Sequence, residues 1–152
     1  MKIGMLTGSF DPITIGHIAL LERALPDFDK VYLALLVNPD KHYAFALPDR
    51  IEMAKAAVAD KSRVEVVYSS GMTVDLAKRL GVDLLVRGVR DDKDRAYEEE
   101  MAAFNRDLGV DTVIYPADNL VSSTHCRELL DRGDYSELPP PCVPLVKRLL
   151  QK

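Results

Sequence analysis

Apolar positions along the chain fall into two periods, and the switches between them predict the elements. Lys2 to Thr7 is a short apolar run that ends in turn chemistry at Gly8-Ser9-Phe10-Asp11-Pro12. From Gly16 the spacing becomes helical, with Ile18, Leu21 and Leu25 on one face before Pro26 stops it. Val31 to Val37 is apolar almost throughout and predicts a buried strand, broken by Asn38-Pro39-Asp40-Lys41. Pro48 opens a second helix with Ile51, Ala54, Ala57 and Val58 on one face. A strand at Val64 to Tyr68 and a helix at Val74 to Leu80, closed by Gly81, follow. Val82 to Val86 predicts another strand, ending at Arg87-Gly88-Val89-Arg90. The remainder predicts a helix from Arg95 to Leu108, a strand from Thr112 to Tyr115, and helices at Thr124 to Arg132 and Val143 to Leu150 around a Pro-rich corner.

Strands and helices that alternate, with strands apolar on both sides, predict an α/β fold with a parallel sheet covered on both faces. No internal repeat or low-complexity stretch divides the chain, so one doubly wound, Rossmann-like domain spanning 1–152 with C-terminal helices is expected. In such folds ligands bind beyond the carboxyl ends of the strands, which is where each polar cluster below falls.

Composition narrows the function. With 152 residues, 47% of them hydrophobic and 29% charged, the chain has enough material for one core and is not disordered. A net charge of −4 argues against broad nucleic-acid binding. No apolar run approaches the roughly 20 residues of a membrane span, and the N-terminus lacks signal-peptide character. Cys126 and Cys142 have no CxxC spacing, and Cys126, His125 and His42 have no metal-ligand spacing. A soluble, cytoplasmic protein without a structural metal is expected.

Between the first strand and first helix, Ser9, Phe10, Thr14, Gly16 and His17 surround a helix start. Free backbone N–H groups and the positive end of a helix dipole make such a place suitable for phosphate. Read alone, Thr14 and Ser9 are also ordinary turn and cap residues, and His17 an ordinary surface histidine. Arg87 and Arg90 follow a strand three residues apart, and their planar guanidinium forks suit phosphate. Ser122, Ser123 and Thr124 form an N-cap cluster.

Ser9-Phe10-Asp11-Pro12 with Thr14-x-Gly16-His17 resembles the (T/H)xGH motif of the nucleotidyltransferase superfamily. Threonine at its first position resembles the phosphopantetheine adenylyltransferases rather than the cytidylyltransferases. The block from Leu85 through Arg87-Gly88-Val89-Arg90 and Tyr97-Glu98 to Asn105-Arg106 is similar to the same family, as is the lysine loop at Asn38 to Lys41. Ser122-Ser123-Thr124-x-x-Arg127 resembles the superfamily's ISSTxxR motif.

The resemblance implies transfer of AMP from ATP to 4′-phosphopantetheine, giving dephospho-coenzyme A and pyrophosphate. It implies His17 as the catalytic donor, with Ser9, Phe10, Gly88, Val89, Arg90, Glu98, Val121, Ser122, Ser123 and Thr124 around ATP. Ser9, Lys41, Thr73, Arg87 and Asn105 would hold the cosubstrate. Mg²⁺ is expected with ATP, bridging its phosphates. A homo-oligomer, hexameric in the family, and inhibition by coenzyme A are expected on the same ground. Two other readings stay open: an adenylyltransferase acting on nicotinamide mononucleotide, and a non-catalytic nucleotide-binding module.

Overall fold

The computed structural model describes residues 1–117 and 121–151. The parallel strands are β1 (Ile3–Gly8), β2 (Lys30–Leu36), β3 (Val64–Ser69), β4 (Leu84–Val89) and β5 (Asp111–Pro116). Between and after them come α1 (Ile15–Ala24), α2 (Leu47–Ala57), α3 (Thr73–Leu80), α4 (Asp92–Asp107), α5 (Ser123–Asp131) and α6 (Val143–Leu150). The strand order is β3-β2-β1-β4-β5. The chain therefore winds outward from β1 in one direction and then in the other, which makes the β1/β4 boundary the switch point of a doubly wound sheet.

The alternation of strand side chains divides the core into two layers. Leu6, Val31, Leu33, Leu35 and Val86 point into one cluster, which α1, α2, α5 and α6 cover. Met5, Tyr32, Ala34 and Leu85 point the opposite way, onto Val74, Leu76 and Ala77 of α3. Cys126 and Cys142 are free thiols in the first layer, and burial raises them to about 11 and about 12. Among the described residues no helix is long and apolar enough to cross a membrane.

Two boundaries differ from those the pattern predicts. Gly81 takes φ 71° and Val82 donates its N–H to Ala77 O at 2.9 Å, so both belong to the closure of α3. The strand starts later, at Leu84, and runs on through Arg87, Gly88 and Val89, which pair with Ile114, Tyr115 and Pro116. Arg87 is thus a strand residue, held by a ladder, and not part of a loop. Helix α4 starts at Asp92 rather than Arg95, because Asp91 caps it by accepting the Asp94 N–H at 2.8 Å.

Candidate active site

The first turn of α1 is built around His17. Thr14 caps the helix and is fully buried; its Oγ1 accepts the His17 N–H at 3.4 Å. The Thr14 N–H in turn donates to His17 Nδ1 at 2.9 Å, closing a capping box in which histidine takes the place usual for glutamate. An amide can only donate, so Nδ1 is an acceptor and the ring proton sits on Nε2. The ring meets Phe10 edge-on, with centroids 4.8 Å apart. Burial, then the charges of Arg87 and Arg90, lower the His17 pKa from 6.5 to about 4. His17 is therefore a neutral imidazole with a fixed tautomer near pH 7, suited to donating one hydrogen bond.

His17 lines a cleft of about 420 Å³ at the carboxyl ends of β1 and β4. Ser9, Phe10, Gly88, Arg90, Glu98, Val121, Ser122 and Ser123 line it as well. Helices α1 and α5 both begin at this cleft, and neither has an acidic residue in its first turn. Their positive dipole ends are therefore left available to an anion. Gly88 packs tightly: a Cβ there would lie 3.0 Å from the Leu20 side chain of α1, which would have to shift.

A smaller pocket of about 150 Å³ lies alongside, lined by Thr73 and Asn105 with Leu36, Leu85, Met101 and Thr112 among its walls. Arg87 and Glu98 border both cavities. Arg87 grips the Glu98 carboxylate with Nε at 2.9 Å and Nη2 at 2.8 Å, and gives Nη1 to Thr7 O at 2.7 Å. Glu98 is 6% exposed and the Arg87 side chain 34%, so this bidentate pair is a half-buried partition between two compartments. Arg90 is tied to Asp94 by Nε at 3.0 Å.

Not every residue singled out in the sequence reaches a cavity. Lys41 is exposed, with Nζ 5.3 Å over the Tyr43 ring, and lines neither cavity. Val89 is buried behind the cleft, and Thr124 is exposed beside Arg127, whose Nη2 donates to its Oγ1 at 3.4 Å. The Ser123 hydroxyl donates to Pro12 O at 2.8 Å, so its proton is committed within the protein. Sequence reasoning missed Thr7, Asp94 and the buried Arg50. Thr7 and Arg50 carry no motif signal, while Asp94, four residues after Arg90, has the spacing of a helical ion pair.

A nucleotide-sized cleft at the switch point, walled by arginines and opened by two helix N-termini, belongs to enzymes that handle nucleoside phosphates. The cytidylyltransferase-like family model matches residues 5–129, and the chain belongs to that family. Within it, the similar curated proteins are phosphopantetheine adenylyltransferases. That of Flavobacterium psychrophilum is 36% identical, covering 94% of this chain and 98% of its own. That of Streptococcus uberis is 41% identical over 85% and 81%. That of Porphyromonas gingivalis is 40% identical over 91% and 94%. A solved structure from Vibrio parahaemolyticus, assigned as a nicotinate-nucleotide adenylyltransferase, superposes with a TM-score of 0.70 at 21% identity. It covers 96% of this chain and 99% of its own, and it shows the shared fold.

Proposed function

We propose that the two cavities hold the two substrates of an adenylyl transfer. The chain is a pantetheine-phosphate adenylyltransferase: it moves AMP from ATP to 4′-phosphopantetheine and releases pyrophosphate, a step of coenzyme A synthesis. ATP occupies the larger cleft, with its phosphates at the starts of α1 and α5. The pantetheine arm enters the smaller pocket, past Thr73 and Asn105, where Leu36, Leu85, Met101 and Ala102 offer contacts to its chain and Asn105 and Thr112 offer polar groups to its amides.

The attacking group is a phosphate oxygen, already anionic near neutral pH, so no general base is needed. It bonds to the α-phosphorus as the α–β phosphoanhydride bond breaks and the electron pair leaves on pyrophosphate. His17 Nε2–H, with Ser9 and the Phe10 amide, donates to the crowded oxygens of that transition state. Arg90 offsets charge on the β- and γ-phosphates. The observation that carries this reading is the pinned His17 tautomer, because a module that only bound nucleotide would gain nothing from a neutral donor held beside two arginines.

Among the described residues no group of three or more His, Cys, Asp or Glu side chains converges as a metal cage. The two carboxylates that line the cleft, Asp94 and Glu98, are bonded to Arg90 and Arg87, so Mg²⁺ would be held chiefly by ATP and would offset its charge. We place the reaction in the cytoplasm, where ATP is available, and extend the reading to a homohexamer and to inhibition by coenzyme A.

Pyrophosphate release measured with 4′-phosphopantetheine and nicotinamide mononucleotide side by side tests the assignment. Turnover of the first and not the second is expected. Lys41→Ala should raise KM for phosphopantetheine and leave that for ATP alone. Preference for nicotinamide mononucleotide would move the chain to the other adenylyltransferases of the fold.

A further inference from the structure

Arg50 is 2% exposed and lines neither cavity, yet it is bonded directly to the phosphate loop. Its Nε donates to Phe45 O at 3.0 Å and its Nη1 to Ser9 O at 3.0 Å. Its guanidinium carbon lies 3.9 Å from the centroid of the Tyr43 ring. A buried guanidinium is costly to desolvate, and this one donates to two neutral carbonyls. Asp11 stitches the same two segments from the other side, accepting from Ala44 N at 2.8 Å and Phe45 N at 2.9 Å.

The geometry points to Arg50 as a positioning residue for the transfer. This rests on the proposed reaction. In a trans peptide the C=O and the following N–H point in opposite directions. Arg50 lines neither cavity, so its bond draws the Ser9 carbonyl toward α2, and on this inference the Phe10 N–H faces the opposite way, into the cleft. Phe10 sits at φ 46°, a strained conformation for so large a side chain. The peptide therefore needs an external clamp to keep this direction, and Arg50 supplies it with a planar fork that reaches two carbonyls from one side chain. The Tyr43 ring holds the fork in plane.

Arg50→Lys keeps the charge and loses the fork. It should lower kcat by about 10²-fold, the cost of misplacing a catalytic group by about 1 Å, and leave KM for ATP within a few-fold. Tyr43→Leu, which removes only the stacked ring, should lower kcat several-fold in the same direction. The chain has 4 phenylalanines, so ¹⁵N-phenylalanine labelling gives a direct readout. Pyrophosphate added to the full-length wild-type protein should move the Phe10 amide resonance, and Arg50→Lys should reduce that response. A folded Arg50→Lys protein with wild-type kcat overturns the inference, as does a wild-type Phe10 amide that ignores pyrophosphate. If Arg50→Lys fails to fold, Tyr43→Leu and the wild-type resonance decide. A wild-type protein that forms no pyrophosphate at all strikes the reaction assignment instead.

Discussion

His17 should make this protein acid-sensitive in a window set by its own pKa gap. In the unfolded chain the imidazole binds a proton near 6.5; in the native state it refuses one until about 4. The unfolded state thus holds more protons between those values, and stability falls as pH drops from 6.5 to about 4. At about 1.4 kcal/mol per pH unit, the gap corresponds to a loss of about 3 kcal/mol, complete once the native group also titrates. The structural cause is threefold: the half-buried ring is desolvated, Arg87 and Arg90 repel a further positive charge, and a proton on Nδ1 would break the bond from Thr14 N–H. His17→Gln tests this cleanly, because glutamine at the third helical position can accept the same amide hydrogen bond. Urea unfolding of both proteins from pH 8 to pH 4 should give curves that diverge below about 6.5, with the variant losing less. Nitrogen-resolved NMR should show Nε2–H and unprotonated Nδ1 from pH 8 down through 6.5, with protonation setting in only as the pH nears about 4. Superimposable pH profiles, or a His17 resonance titrating near its ordinary value, would refute the argument.

Three further outcomes follow from the same geometry. His17→Ala should lower kcat by roughly 10²–10³-fold with far less effect on the calorimetric affinity for an ATP analogue; equal losses would make His17 a ground-state ligand only. Arg90→Ala should raise KM for ATP more than about tenfold, as removal of a charge-assisted bond does. Ser123→Ala should raise it less, since that hydroxyl donates to Pro12 O. Arg87→Ala should raise KM for phosphopantetheine and also destabilise the fold, by up to about 3 kcal/mol, because it leaves the buried Glu98 carboxylate unpaired. Glu98→Gln should cost less, and equal urea midpoints for the two variants would show that the pair is not buried in solution.

Much of this protein is legible in its sequence. Apolar runs such as Val31 to Val37, punctuated by Gly and Pro, lie on neighbouring residues, so they specify strands locally. The strict alternation of strands and helices then leaves little but a parallel sheet. The boundaries that slipped did so for tertiary reasons: β4 runs through Arg87 to Val89 because β5 is there to pair with them.

What the sequence alone determined was the order of elements, the doubly wound class and the family to which the phosphate-handling residues belong. Only the tertiary structure decided what state those residues are in. Arg87 reaches Thr7, 80 positions away, and Ser123 reaches Pro12, 111 away. Arg50 reaches Ser9 across 41 positions. No local pattern encodes such contacts, because their partners meet only when strands far apart in the chain lie side by side. The neutral His17, the Arg87–Glu98 partition and the clamp on Ser9 are all of this kind. Each depends on burial and on charges brought close by folding, and those are the two physical terms that a linear sequence does not display.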